Sequence, residues 1–482
     1  MDPFTLGAMK EIFLLFNSKS YDSITGDKII FYIYNMHITH LMTRYGILGG
    51  GWAGLLSAFE LKKLEPEAEI EILEKSDSDE LGGLLRSVSI DGFTYDIGGP
   101  HILFSKNKDI LNQILSILGT NWKEMERKNF IHFEGRLISY PFENGIYLLP
   151  AADRAAIGLE IVQKIIDFKS KEGWIPGSFY DWIFEIFGQQ MGSRYLEPYN
   201  EKIWKRDLRG FDASWVFSPG RLPFPQLDDI IFSTAGLKTV GYKEQANFYY
   251  PLIGGIQTLY DSLLQLVREK GIAFKTNTPV SKIEKMPNGC WLVNSNFCYD
   301  TIISTLPPAT LLNVMDAPAE LQNIAEGLDY NRVAVVGFAL NQEGPDQIAL
   351  YVPQKDVIFH RYTWMSNLVS NSPNGKSNLI VEITMPKGSS FNITELKEKS
   401  IRGLIELGII EDESKIIHSR VWVHEFGYPV YTKGHIEARE KIMGFLEEEK
   451  IFSVGRWGSW HYWNTDKVFE AVLFTVKKIV ET

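Results

Sequence analysis

The run Gly49-x-Gly51-x-x-Gly54 constrains this chain more than any other feature, because of what flanks it. A short apolar run, Tyr45 to Leu48, precedes it, and an apolar stripe at helical spacing follows, Trp52, Leu55, Leu56, Phe59 and Leu64. Glu69 to Leu73 then alternates like a strand. Strand, glycine turn, helix and strand make one βαβ unit of a doubly wound α/β sheet. In that setting the first glycine forms the tight turn, the second lets backbone approach a pyrophosphate, and the third lets the helix lie close to the sheet. The helix N-terminus adds unpaired N–H groups and a partial positive charge, worth about 0.3–1 kcal/mol to an anion. Glu74, at the end of the second strand, is placed to accept hydrogen bonds from ribose hydroxyls. A plain glycine-rich turn is the competing reading. The surrounding strand, helix and acid favour a dinucleotide, NAD or FAD.

The other 400-odd residues leave room for this unit and more: a chain of 482 residues, 45% apolar, has the length of two or three domains, or of one large domain with an insertion. Disordered, collagen-like and disulfide-stapled classes are excluded by that composition. A net charge of −11 repels a phosphate backbone, so nucleic acid is not expected as a partner. Cys290 and Cys298 are the only cysteines, too few for a disulfide framework or a multi-cysteine metal site, and the expected location is the reducing cytoplasm. No apolar run reaches the roughly 18 to 20 residues that span a bilayer. Ile29 to Met42 comes nearest but carries Asn35, His37 and His40. The nine histidines form no His-x-x-x-His pair, no Gly-x-Ser-x-Gly elbow or P-loop occurs, and no metal is expected.

Patterning divides the chain into six stretches. Residues 1–43 are an N-terminal extension whose first nine residues read as an appended leader, and 44–138 hold the first part of the dinucleotide domain. Residues 139–250 form a helical, aromatic-rich insertion over a site, with helical patterns at Ala151–Phe168, Phe179–Phe187 and Gly192–Trp204. The dinucleotide domain resumes at 251–310 with a helix opened by Gly254-Gly255 and strands at Ile272–Lys275, Val280–Glu284 and Thr301–Thr305. Residues 311–435 carry the alternating segments Val333–Leu340, Val357–Thr363, Leu379–Thr384 and Arg420–His424, read as an antiparallel sheet. The stretch 436–482 closes the first domain with strand Ile451–Val454, a Gly455-Arg456 turn and helix Lys467–Ile479.

A second glycine pair in Glu80-Leu81-Gly82-Gly83-Leu84-Leu85-Arg86, followed by Asp96-Ile97-Gly98-Gly99-Pro100-His101, resembles the FAD-dependent amine oxidase and protoporphyrinogen oxidase superfamily. Further segments resemble the UDP-galactopyranose mutases within it: Gly99 to Phe104, Tyr199-Asn200-Glu201-Lys202-Ile203-Trp204, Arg221-Leu222-Pro223, Gly427-Tyr428-Pro429 and Gly455 to Asp466. The resemblance implies a Rossmann-like FAD-binding domain of glutathione-reductase type, with a helical insertion and an antiparallel-sheet substrate domain. It implies that FAD is held by Gly49, Gly51, Trp52, Ala53 and Gly54, by Glu74 and Lys75, by Gly82, Gly83 and Leu84, and by Gly99, Pro100 and His101. Val280 would read the adenine, Gly455 and Arg456 the pyrophosphate, and Tyr462, Asn464 and Thr465 the isoalloxazine or ribityl.

The same resemblance assigns His101 to the flavin edge, Trp204 to the substrate site, and Arg361, Tyr428 and Arg221 to a substrate diphosphate. Each has a plainer competitor: a satisfied turn histidine, a core tryptophan, a surface cross-strand arginine. The implied activity is isomerisation of a nucleotide-diphosphate sugar between pyranose and furanose forms, with reduced flavin as nucleophilic catalyst and NADH or NADPH as external reductant. The alternative is an oxidoreductase of the amine oxidase and protoporphyrinogen oxidase type, accepting a hydride at the flavin. The partner is then a small-molecule substrate, and a homo-oligomer stays open. The chain departs from the mutase pattern at Pro225, where a second arginine clamps the diphosphate, and at Asn464 and Trp460, which replace an aspartate and a tyrosine.

Overall fold

The structure, a computed structural model, describes residues 42–169, 176–217, 224–239, 246–370 and 372–481. Five strands form one parallel sheet, ordered Ile451–Ser453, Thr301–Ser304, Arg44–Leu48, Glu69–Leu73, Ala273–Lys275, with the apolar residues of the inner strands buried. The chain builds outward from Arg44–Leu48 first in one direction and then in the other. That reversal leaves a crevice at the carboxyl end of the first strand, where doubly wound sheets bind ligands. Gly49 follows immediately.

Helices Trp52–Leu64, Gln257–Glu269 and Thr465–Glu481 pack together over this sheet, the first touching both others. A hairpin sheet of Ile283–Lys285, Trp291–Val293 and Phe297–Tyr299 covers other strand residues; a Cβ on Gly46 would come within 2.3 Å of the Tyr299 ring. The strand expected at Val280–Glu284 begins only at Ile283. Pro279 precedes it, and the Asn294 side chain accepts the N–H groups of Ser281 and Lys282 that a strand partner would otherwise take. In the same hairpin Cys290 and Cys298 are joined by a disulfide. Two cysteines are too few for a framework but enough for this one bridge: hairpin pairing brings the two Cα atoms to 6.0 Å, a span a disulfide bridges.

The second sheet has seven strands, ordered Ile416–Val430, Asp329–Leu340, Ser377–Pro386, Arg361–Trp364, Ala349–Tyr351, Phe130–Phe133, Arg136–Ser139. It is antiparallel except where Ala349–Tyr351 runs parallel to Phe130–Phe133. Its last two strands come from residues that the sequence pattern grouped with the dinucleotide domain. The strand expected at Val357–Thr363 is confined to Arg361–Trp364; Val357 and Phe359 are buried in a core against the seven-stranded sheet without ladder partners of their own. Helices Ala151–Lys169, Phe179–Met191 and Glu197–Trp204 close a third core, which Tyr428 and Tyr462 also enter. Among the described residues no helix is long and apolar enough to cross a membrane.

The helix Trp52–Leu64 meets the turn before it most closely at Gly54, where a Cβ would meet the Gly49 carbonyl oxygen at 2.0 Å. Backbone cannot yield there without moving the turn. Gly54→Ala is expected to destabilise the protein by about 1–3 kcal/mol, the range for overpacking, read as a lowered midpoint in thermal unfolding.

Candidate active site

At the crevice Gly49 adopts φ +98°, which favours glycine, and its N–H donates to Leu73 O. Glu74 fastens the turn: one carboxylate oxygen accepts the Gly50 N–H at 2.7 Å and the other accepts the Ser76 N–H at 2.8 Å. The Tyr260 hydroxyl donates to Gly50 O at 2.7 Å, tying the turn to helix Gln257–Glu269. Around Gly51 a Cβ would meet nothing within 4 Å. The helix that starts there has no side-chain cap and no acid in its first turn, so its first N–H groups face open space. Lys75 is exposed just beyond. Val280 packs in the cluster that holds Leu48 and Leu73, two residues after Thr278, whose N–H donates to Glu74 O.

The second glycine pair stands beside this turn. Gly82 and Gly83 both have positive φ, and Gly98 approaches so closely that a Cβ on it would lie 2.3 Å from Leu84 O. Gln257 joins the two segments: its amide donates to Leu81 O and its carbonyl oxygen accepts the Ser87 N–H. Sequence reading missed it, since a glutamine that opens a helix carries no signal of its own.

The C-terminal motif arrives at the same place. A Cβ on Gly455 would come within 2.7 Å of Ala53 Cβ, and the Trp52 indole donates to Thr465 O at 3.2 Å. Arg456 directs Nε and Nη2 to Trp463 O, at 2.9 and 2.8 Å, with its guanidinium 5.1 Å from the centre of the Tyr462 ring.

Between this region and the seven-stranded sheet lies a cavity of about 230 Å³. Its lining includes Gly99, Pro100 and His101 from one side and Arg456, Tyr462, Asn464 and Thr465 from another. Trp204, Arg361 and Tyr428 complete the set of expected residues brought together here. Gly49, Gly51, Trp52, Ala53, Gly54, Glu74, Lys75, Gly82, Gly83, Leu84, Val280 and Gly455 do not line it and belong to the turn region. Arg221 lies outside the described residues, as do Leu222 and Pro223.

Arg361 is not a surface arginine. Its Nε and Nη2 fork onto the two oxygens of Glu382 at 2.7 and 2.6 Å, and the Tyr428 hydroxyl donates to Glu382 at 3.0 Å. The Arg361 side chain keeps 26% of its surface accessible through the cavity, while Glu382 keeps 1%. Burial opposes the arginine's charge, but Glu382 beside it outweighs that and holds its pKa well above the ordinary range. Burial, and then the Glu382 charge, raise Tyr428 well above an ordinary tyrosine. Nη1 of Arg361 has no partner among the described residues. Glu382 escaped sequence reading because Ser377–Pro386 is buried along both faces and shows no alternation that would mark one residue out.

Aromatic rings form the rest of the wall. Tyr140 stacks on Tyr351 at 4.7 Å, Tyr195 on Tyr199 at 5.7 Å, and Trp204 meets Tyr428 and Tyr462 edge-on at 6.2 and 5.7 Å. A π-helical turn at Gly192–Leu196 brings Tyr195 and Leu196 to the lining. Several lining groups have buried polar atoms without a partner among the described residues: Thr363 Oγ1, Trp204 Nε1, Trp215 Nε1, and Arg127 Nε and Nη2. Such groups are otherwise almost always paired in a folded protein, and these five atoms all belong to residues of the cavity wall.

Residues 52–435 match the flavin containing amine oxidoreductase family. The chain belongs to that family. Among solved structures it is similar to a reduced UDP-galactopyranose mutase, 25% identical over 92% of this chain and 94% of the other, with a TM-score of 0.81. It shares its fold with cyclohexylamine oxidase from Brevibacterium oxydans IH-35A, 13% identical over 91% of this chain and 99% of that one, TM-score 0.60. An uncharacterized protein in the nifH2 3' region of Methanothermococcus thermolithotrophicus is 43% identical over 70 residues, 14% of this chain. The chain spans 63% of that curated relative's length.

Membership makes the chain an FAD-dependent enzyme. Its residues fit the cofactor: the uncapped helix start with clear space at Gly51 suits the pyrophosphate, and the Gly98–His101 backbone borders the cavity where a flavin ring would meet substrate. Gly51→Ala puts a methyl into that clear space at an ordinary φ of −76°. The apoprotein should unfold at the wild-type temperature while FAD is released more readily, measured as flavin retained through gel filtration.

Lys202, in the Tyr199 to Trp204 segment, turns away from the cavity. Its ammonium donates to Val352 O at 2.8 Å and Gln354 O at 2.7 Å, and burial pushes its pKa down to about 7 from 10.5. Because the fold favours the neutral amine, this group's contribution is present above pH 10.5 and is lost as pH falls to about 7. Lys202→Met should flatten the rise of the unfolding midpoint between those pH values, and should cost about 1–3 kcal/mol for the carbonyls left unpaired.

Proposed function

We propose that this flavoenzyme isomerises a nucleotide-diphosphate sugar between pyranose and furanose forms, as its similarity to a UDP-galactopyranose mutase over nearly the whole chain suggests. The observation that carries this reading is the charge of the cavity. Among the described lining residues the cations are Arg127, Arg361 and Arg456, and the carboxylates reduce to Glu382, which Arg361 and Tyr428 already hold. An excess of guanidinium welcomes an anionic substrate and repels an amine, which carries a positive charge at neutral pH.

In this reading Arg361 and Tyr428 hold the substrate diphosphate, with Glu382 fixing the arginine's fork so that Nη1 remains as donor. Arg221 joins them. The stacked tyrosine pairs enclose the sugar and base, and Trp204, against Tyr428 and Tyr462, shapes the floor. His101 lies at the flavin edge. Gly49 to Gly54, Glu74, Lys75, Gly82 to Leu84, Val280, Gly455, Arg456, Asn464 and Thr465 hold the FAD. When reduced, with NADH or NADPH as donor, the flavin supplies a nucleophilic ring nitrogen; the protein supplies orientation and a water-poor enclosure.

The second reading, an oxidoreductase taking a hydride from substrate, draws on the family as a whole and on the aromatic walls that would suit an apolar substrate. One experiment separates them. The dithionite-reduced holoprotein, incubated without oxygen with a panel of nucleotide sugars, is expected to yield the ring isomer by chromatography with no net change in flavin oxidation. No isomer across the panel, together with bleaching of oxidised flavin by an amine or other reductant substrate, would overturn the mutase reading.

A further inference from the structure

Arg127 stands out among the cavity groups because it has a charge and nothing to answer it. Its Nε and Nη2 are buried without a partner among the described residues, its guanidinium lies 5.4 Å from the centre of the Phe104 ring, and its backbone N–H is held by Ala246 O at 2.8 Å. Backbone and ring together fix the side chain at the cavity wall. Asn129, two residues on and buried, lines the same cavity, as alternate residues of an extended segment share one face. Its Oδ1 accepts the Ala349 N–H at 3.3 Å, which orients the amide so that its donor side has no partner in the described structure. Thr363, paired with Ala349 in the neighbouring strands, adds a hydroxyl that is also unpartnered.

Two buried guanidinium nitrogens without a partner are costly, and no carboxylate of the wall answers them, since Glu382 is engaged by Arg361 and Tyr428. We infer that Arg127, with Asn129 and Thr363, forms a site for the phosphate groups of a nucleotide that enters the cavity, distinct from the glycine turn that serves FAD. A guanidinium stays charged at every physiological pH and is suited to phosphate oxygens, and the amide and hydroxyl supply neutral donors beside it. The inference rests on the nucleotide-sugar reading for its ligand class. The same phosphate chemistry is offered by the substrate and by a nicotinamide reductant, and the test tells them apart.

The oxidised holoprotein and its Arg127→Gln and Arg127→Lys variants are titrated with UDP and, separately, with NAD+ and NADP+, following the flavin absorbance. Flavin content and thermal midpoint are recorded for each variant. Weakening of UDP binding by about tenfold or more in Arg127→Gln, the loss expected of one or two charge-assisted hydrogen bonds, identifies the substrate phosphates. The same loss confined to a nicotinamide nucleotide identifies the reductant. Arg127→Lys, which keeps the charge but not the fork, is expected to recover part of the affinity, and it carries the comparison if the glutamine variant does not retain flavin. Equal binding by wild type and variants overturns this site while leaving the isomerase reading intact. A wild-type protein that answers to none of the three nucleotides overturns the site, whereas the isomer assay alone decides the activity.

Discussion

At Gly455 the backbone comes so near Ala53 that no side chain could stand between them, and the arrangement of the site follows from that contact. The strand Ile451–Ser453 joins the parallel sheet beside Thr301–Ser304, and this pairing delivers the last part of the chain onto the helix that the glycine turn opens. The indole of Trp52 then reaches Thr465 O, and Arg456, Tyr462 and Asn464 are brought to the cavity. Two segments remote in sequence thus close one end of the site, and each positive-φ glycine there removes a Cβ that would hold them apart.

The other end is governed by Glu382. A carboxylate buried to 1% with an arginine is weak evidence for stability, because desolvation offsets most of the attraction and apolar replacements are often tolerated. What the arrangement gives is orientation: two nitrogens of Arg361 are fixed on Glu382, the Tyr428 hydroxyl is fixed on the same group, and all three residues come from separate strands of one sheet. Gly99 lies close enough that a Cβ would be 3.0 Å from Glu382, so the sheet and the Gly98–His101 backbone are fitted to one another at this carboxylate.

The parallel sheet was legible because its signals are local: a strand, a turn whose glycines are required sterically, and a helix with clear periodicity all fall within Arg44–Leu73. The helix Gln257–Glu269 was legible for the same reason. What local pattern could not give was partnership. Phe130–Ser139 alternates like many strands, and only the distant Ala349–Tyr351 determines which sheet it joins. Arg127 reads as one more charged residue in a charged segment until the fold sets it against Phe104, and Glu382 reads as a charge interrupting an apolar strand until Arg361 is found opposite it. The bridge between the cysteines, eight residues apart, could not be read from their count, because it depends on the hairpin that pairs their strands.

The cavity draws one boundary from the parallel-sheet region and another from strands of the seven-stranded sheet, with no element shared between the two. Positions such as 127, 129 and 363 can therefore drift while the turn at 49–54 and its C-terminal counterpart at 455 stay fixed by steric necessity. A lineage built on this plan can change what it admits without relearning how to hold its tool.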